Sequence, residues 1–254
     1  MDLEYLLGCV FFASWLGSLM WVTFTTPLAL CLLPNRWALA YLAILWGTLV
    51  IPLDRPISRW GRHFMTLSIK AAYRRHKVQV TYEDKAALTP GRPYIVGYEP
   101  HSVLPFALQT VFCDLAPARA PGFKDMRILA TTAGFYVPLL RHIWWWLGTR
   151  SADRKSMSAI LAAGGTAVLI PGGVQECGYL EQGKETVFLK SRKGFVRMAL
   201  QHGAPLVPVF CFGQTRMLSF RHLGPPLMPR AAVKNFARMI GVLPMVVWGW
   251  LQVM

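Results

Sequence analysis

An α/β fold, with a mostly parallel sheet flanked by helices behind an N-terminal hydrophobic helical hairpin, is what this 254-residue sequence predicts. Three observations carry it. Short apolar runs alternate with longer helical stretches from residue 94 onward, the pattern of strands joined by crossover helices. The first 54 residues hold two long uncharged runs. Glycine, proline and polar residues cluster just past the strand-like runs, where open α/β sheets place their functional residues.

The N-terminal runs come first. Tyr5 to Leu33 carries no charged side chain and is long enough to cross a bilayer as a helix, with Pro27 as a kink or exit. Pro34, Asn35 and Arg36 make a turn. Trp37 to Leu53 is a second uncharged run, which at about 1.5 Å per residue reaches only some 25 Å. It either crosses a thin bilayer or closes a re-entrant hairpin. A cleaved signal peptide fits poorly, because "MDLEYLL" has two acids and no basic start. The expected division is therefore a hairpin over 1–54 and a membrane-associated domain over 55–254.

Composition agrees. Apolar residues make up 54% of the chain and charged residues 15%, against about 25% charged in ordinary soluble domains. The formal net charge is +15, which favours polyanions: nucleic acid, anionic lipid headgroups or a phosphorylated small substrate. Nucleic acid is the weaker reading, since no recognition helix or zinc finger accompanies the charge. Arg55, Arg59, Arg62, Lys70, Arg74, Arg75 and Lys77 follow the hairpin with no acid among them. Such a flank stays cytoplasmic and suits an anionic surface, although a solvated charged face has the same composition. The five cysteines are scattered, with no CxxC, so neither a disulfide framework nor a zinc cluster is expected and no metal site is assigned.

In the second part, Tyr94 to Tyr98 reads as a strand and Ser102 to Phe112 as a helix, with Pro105 in its first turn. Arg127 to Thr131 is a strand. Phe135 to Leu147 is an aromatic-rich helix whose "IWWW" suits a bilayer interface. Asp153 caps a helix to about Ala163, closed by Gly164 and Gly165. Thr166 to Ile170 is a strand. Ser191 caps a helix to about Gln201, which His202 and Gly203 end. Pro205 to Phe212 is a buried strand. "EPHS", "PGGVQE" and "FGQT" then fall past strand ends.

His101 lies in the first of these. Neutral imidazole can take a proton from an alcohol. A helix N-terminus would oppose its becoming cationic, so a nearby anion is needed, and Glu99 could help to supply it. The two could equally do no more than satisfy each other in a loop. In "PGGVQE", Gly172 and Gly173 could point N–H groups at a developing oxyanion, or simply make a turn. Glu176 could orient a catalytic group. "KSRKGF" opens a helix with three cations, so Arg192, Lys193 and the Gly194 backbone suit a phosphate, if they are not a solvated helix end. "GYLEQGKE" imitates a phosphate-binding loop but has Glu185 where Ser or Thr is required, and no strand runs into it. Neither GxSxG nor HExxH occurs.

Taken in order, "YIVGYEPHSVLP", "SADRKSMSAILAAGGTAVLIPGGVQE" and "LKSRKGFVRMALQHGAPLVPVFCFGQ" resemble the type 2 diacylglycerol acyltransferase family, in the "EPHS" form of plant and green-algal members. The resemblance implies a glycerolipid-acyltransferase-like fold in an enzyme of the endoplasmic reticulum membrane that also associates with lipid droplets. It implies transfer of a fatty acyl group from acyl-CoA, the cosubstrate, to diacylglycerol, giving triacylglycerol, with no resident cofactor. Membrane lipids are then partners, nucleic acid is not, and homo-oligomerisation is left open. His101 matches the family's essential histidine, and Glu99 stands where animal members have their first histidine. The Asp of the wider His-x4-Asp pair is absent, because Phe106 occupies that place, so its orienting role passes to Glu176 or Glu99. Acyl-CoA phosphates fall to Arg192 and Lys193. Ser102 and Cys177 are rival nucleophiles for a two-step route. Monoacylglycerol, a wax alcohol or a lysophospholipid would serve equally as acceptor on sequence grounds. The family's sequence continues beyond the counterpart of "WGWLQVM", so a C-terminal truncation is expected, and with it the rival reading of a non-catalytic lipid-droplet protein.

Overall fold

The computed structural model describes residues 2–16, 18–116, 122–123, 125–223 and, beyond these, 229, 231–233, 235, 237, 243 and 245–249. The centre is a five-stranded parallel sheet of β1 (Tyr94–Glu99), β2 (Met126–Ala130), β3 (Arg150–Ser151), β4 (Thr166–Leu169) and β5 (Leu206–Phe210). Their order is β3-β2-β4-β1-β5, so β1 is hydrogen-bonded on both sides. Tyr94 lies opposite Thr166 on β4, and Glu99 opposite Phe210 on β5.

Alternate side chains of each strand feed two cores, as expected of a parallel sheet covered on both faces. Tyr94, Val96 and Tyr98 join Ile128 and Val168 on one face. There they meet Met65, Ile69 and Ala72 of α4 (Arg59–Arg75) and Phe106, Leu108 and Phe112 of α5 (Phe106–Phe112). Ile95, Leu129 and Ala167 face the other way, against Met157 and Leu161 of α7 (Arg154–Ala162) and Met198 and Ala199 of α9 (Gly194–His202). The expected mostly parallel sheet with flanking helices is thus present. A two-stranded antiparallel ribbon, β6 (Ser219–His222) and β7 (Met245–Trp248), follows.

Several local expectations are corrected. The helix expected from Ser102 begins only at Phe106. Ser102 adopts φ +57°, and Pro105 disfavours helical backbone at Leu104. His101 therefore sits in a loop and feels no helix N-terminus. The single helix expected over 135–147 is a 3₁₀ turn (Thr132–Tyr136) followed by α6 (Leu140–Trp146), because Pro138 interrupts it and Leu139 takes φ +64°. Asp153 caps α7 as expected, accepting from the Ser156 N–H. Ser191 caps nothing: α9 begins at Gly194, and Lys193 holds the cap position without a side-chain bond. β5 is an edge strand, not a buried one, and Leu206 and Phe210 are exposed. Pro208 is tolerated there because an edge strand leaves one side of its ladder unused.

The N-terminal runs form α1 (Leu3–Leu16), α2 (Ser18–Leu32, through Pro27) and α3 (Asn35–Gly47). Residue 17, between α1 and α2, lies outside the described residues, as do residues 250–254 of the "WGWLQVM" stretch. Among the described residues no helix is long and apolar enough to cross a membrane. Many of their apolar side chains nonetheless face outward, among them Leu3, Phe24, Leu32, Trp37, Leu39 and Ile44. α1 lies along α4, and a Cβ at Gly8 would stand 2.5 Å from the Leu67 carbonyl oxygen. Glycine is what lets these helices approach so closely.

The chain leaving α3 is tied to α6. Arg141 donates to the Leu49 carbonyl, His142 Nε2 lies 3.3 Å from the Ile51 carbonyl, and Trp146 Nε1 donates to the Arg55 carbonyl at 3.1 Å. The expected interfacial tryptophans are engaged within the protein: Trp144 lies edge-on to Phe135, and Trp145 stacks under Arg150.

Candidate active site

Three loops meet past the C-terminal ends of β1, β4 and β5. The "FGQT" loop holds the first in place. Gln214 Nε2 donates to the Pro100 carbonyl at 2.8 Å, and its Oε1 accepts from the Tyr98 hydroxyl at 2.5 Å. Ser102 Oγ donates to the Gln214 carbonyl at 3.3 Å, and the Cys211 N–H to the Glu99 carbonyl at 2.8 Å. Gln214 and Tyr98 are both buried, so these bonds form in a low dielectric, where a missing partner is costly.

Glu176 holds the same loop from the other side. It belongs to α8 (Gly173–Cys177), and its side chain is wholly buried. Oε1 accepts the His101 backbone N–H at 2.6 Å, and Oε2 the Phe188 N–H at 2.9 Å. One carboxyl group thus accepts from two main-chain donors, one on each oxygen. Glu176 grips the main chain of His101 and makes no hydrogen bond to its ring.

The His101 ring is half-buried. Nδ1 lies 2.9 Å from the Ser102 carbonyl oxygen and 3.3 Å from Cys177 Sγ. A carbonyl oxygen only accepts, so the first contact places the proton on Nδ1. In the neutral ring Nε2 is then the lone-pair nitrogen, and it makes no hydrogen bond among the described residues. Ser102 Oγ is occupied with Gln214, whereas the Cys177 thiol lies beside the ring. Cys177 was weighed in the sequence, but its contact with His101 crosses 76 positions and no motif announces it.

Glu99 is 6% exposed, and among the described residues neither carboxyl oxygen has a hydrogen-bond partner of good geometry. Burial, and then the neighbouring Glu176 carboxylate, push its acid up to about 8. At neutral pH Glu99 is therefore mostly a neutral acid, and the expectation that it supplies an anion to His101 is corrected. Burial alone would lower the His101 imidazolium, but Cys177, the Ser102 carbonyl and Glu176 outweigh it and raise the group to about 9.

Both shifts give the folded state extra protons, so they act on stability in the same direction. The Glu99 contribution is complete below its ordinary 4.5 and is lost as pH rises to about 8. That of His101 is complete below 6.5 and is lost as pH rises through about 9. The thermal midpoint is expected to fall as pH is raised across this range. Glu99→Gln keeps the shape and removes the first titration, so its midpoint should vary less between pH 5 and 8. An unchanged pH dependence in that variant contradicts the assignment of Glu99 as a buried neutral acid.

The glycines do less than expected. The Gly173 N–H donates to the Ile170 carbonyl at 3.1 Å, so it is committed to a turn. The Gly172 N–H faces the Glu99 carboxyl. A Cβ at Gly172 would lie 2.1 Å from Glu176 Oε2, which explains glycine there. Arg192 reaches back over this loop: Nη2 donates to the Gly172 carbonyl at 2.8 Å, and its Nε is buried without a hydrogen-bond partner among the described residues. Lys193 and Gly194 are exposed at the start of α9. Among the described residues no group of three or more His, Cys, Asp or Glu side chains could hold a metal ion.

Comparison with known proteins places the sequence in a family. The family model described as diacylglycerol acyltransferase matches residues 29–253. Human 2-acylglycerol O-acyltransferase 3 is 28% identical over 97% of this chain and 71% of its own length. Mouse acyl-CoA wax alcohol acyltransferase 2 is 32% identical over 64% of this chain and 50% of its own. Diacylglycerol O-acyltransferase 2 of Xenopus tropicalis is 32% identical over 88% of this chain and 63% of its own. The chain thus spans between half and about seven tenths of these relatives' lengths. No solved structure gives a significant match. With the family model covering nearly the whole sequence from residue 29 onward, this chain belongs to the diacylglycerol acyltransferase family.

Proposed function

We propose that the chain transfers a fatty acyl group from acyl-CoA to the free hydroxyl of diacylglycerol, forming triacylglycerol. The observation that carries this is a histidine whose Nδ1 proton is held by a backbone carbonyl, so that Nε2 is the nitrogen that becomes bare when the imidazolium loses a proton, at the strand ends of a parallel sheet. Nε2 removes the proton from the acceptor hydroxyl as its oxygen attacks the thioester carbonyl. The tetrahedral intermediate then expels the CoA thiolate, which takes the proton back from the imidazolium. Of the two glycine amides first considered for the oxyanion, only that of Gly172 is not already spent on a backbone carbonyl. Lys193 and the N–H of Gly194 at the start of α9 are suited to a CoA phosphate. Arg192 acts by bracing the glycine loop.

The outward apolar side chains of α1 to α3 support burial in the endoplasmic reticulum bilayer or at its surface, with lipid-droplet association. The lipid acceptor then need not enter water. Expression in yeast lacking neutral-lipid synthesis is expected to restore triacylglycerol. Wax ester instead would transfer the assignment to an alcohol acceptor, and no neutral lipid from a stably inserted chain would refute the enzyme reading.

A second reading has one observation in its favour. Cys177 Sγ beside His101 Nδ1 resembles a thiol–imidazole pair, which would support an acyl-cysteine intermediate. Against it, the thiol is buried, and the ring nitrogen facing it carries the proton. Trapping acyl groups on the wild-type chain but not on Cys177→Ala would favour this route.

A further inference from the structure

We infer that a second anion site lies along the same sheet edge, in the pocket between the 3₁₀ turn after β2 and the start of α7, and that it takes a phosphate group. The pocket has a volume of about 300 Å³ and is lined by Arg141, Arg150, Thr132, Ser151, Ser156 and Trp145, among others. Thr132 follows β2 and Ser151 ends β3, so in a parallel sheet the pocket opens on the same edge as His101, which follows β1. β3 is three strand spacings from β1, about 14 Å at about 4.8 Å each. An extended donor could therefore hold its thioester at His101 and a further phosphate here, apart from the one given to Lys193 and Gly194. Identifying the ligand as the donor's nucleotide rests on the proposed acyl transfer; the phosphate chemistry of the pocket does not.

The charges are what call for an anion. Among the described residues neither Arg141 nor Arg150 forms a salt bridge. Arg150 is half-buried, with its guanidinium 3.6 Å above the Trp145 ring and Nη1 donating to the Thr149 carbonyl at 2.8 Å. Burial and the nearby Arg127 weaken its hold on its proton, to about 10, and Asp114 offsets this only in part because it is paired with Arg127 at 2.8 Å. Arg141 is half-buried too; its Nη1 donates to the Leu49 carbonyl, and among the described residues its Nε is a buried donor with no partner. Two guanidinium groups withdrawn from water without a counter-charge are costly unless an anion completes them. The hydroxyls of Thr132 and Ser151, hydrogen-bonded to each other at 2.6 Å, add donors that can turn toward one. The acids on these elements are already spent: Asp114 on Arg127, and Asp153 on the Ser156 N–H and hydroxyl, both at 2.8 Å.

The test is binding without turnover, using the full chain in neutral phosphatidylcholine nanodiscs. The probes are adenosine 3′,5′-bisphosphate for the donor's nucleotide and phosphatidylinositol 4-phosphate in the nanodisc for a lipid headgroup. Wild type is expected to bind one of them, and Arg150→Gln and Arg141→Gln each to weaken that binding by about tenfold. Loss confined to the nucleotide identifies a donor phosphate, and loss confined to the lipid a headgroup. If Arg150→Gln does not fold, Arg141→Gln with Thr132→Val decides. The inference is overturned if folded variants bind both probes as wild type does, or if wild type binds neither. Wild-type transfer is measured separately, so failure of the pocket and failure of the enzyme reading give different results.

Discussion

His101→Ala is expected to lower acyl transfer by roughly 10²- to 10⁴-fold while leaving expression and membrane association unchanged. The main-chain bond to Glu176 and the neighbouring packing survive the truncation, because Oε1 holds the backbone N–H and not the ring. The loss should therefore fall on kcat. It should also remove a pH dependence. In the wild type kcat/KM is expected to climb from neutrality toward pH 9, as the imidazolium raised to about 9 gives up its Nε2 proton. The variant should lack that limb. Transfer assayed with purified protein across pH 6 to 10 checks both features, and a variant retaining wild-type rates would exclude His101 as the base.

Glu176→Gln is expected to be nearly as damaging, although it is isosteric. Both carboxylate oxygens accept backbone N–H groups, from His101 and from Phe188. An amide offers one oxygen and one NH₂, so one N–H would face another donor. Leaving such a group unsatisfied costs about 1–3 kcal/mol, and the geometry affected is that of the His101 loop. Gly172→Ala reaches the same place from the opposite side. Its Cβ would stand 2.1 Å from Glu176 Oε2, so the carboxylate must leave the Phe188 N–H or the glycine loop must move. Both variants should lower kcat with little change in KM for acyl-CoA. Because Glu176 also acts on the His101 ring electrostatically, Glu176→Gln should move the wild-type pH limb downward. A purely structural defect would lower the amount of active protein and leave that limb in place.

Much of the fold was legible because strands and turns leave local marks. "YIVGY" and "TAVLI" are short apolar runs that had to be covered on both faces, and they became the adjacent strands β1 and β4. Asp153 capped its helix because its side chain reaches the Ser156 N–H three residues on. Less was legible where proline and left-handed backbone decide. Pro105 and Ser102 delay α5 and leave His101 in a loop, and Pro138 and Leu139 split the aromatic helix. The edge position of β5 was hidden because strand order is a long-range property that an apolar run does not encode.

The site divides in the same way. His101, Glu99 and Glu176 stood out as polar residues in apolar surroundings, and the structure brings all three together. Their individual tasks depended on tertiary contacts. Glu99 became a neutral acid through burial first and then through its nearness to Glu176, 77 positions along the chain. The "FGQT" stretch stands out only by its place past a strand, and Gln214 within it has no signature of its own until its amide is seen bridging Tyr98 and Pro100.

Selective ¹⁵N labelling of histidine, with His101 assigned by its loss in His101→Gln, reads the state of the ring directly. The expected spectrum has the fixed proton on Nδ1, with Nε2 losing its proton as pH rises toward 9. A ring that, once singly protonated above pH 9, keeps its proton on Nε2 and leaves Nδ1 bare toward Ser102 and Cys177 would contradict His101 as the group that takes the acceptor's proton.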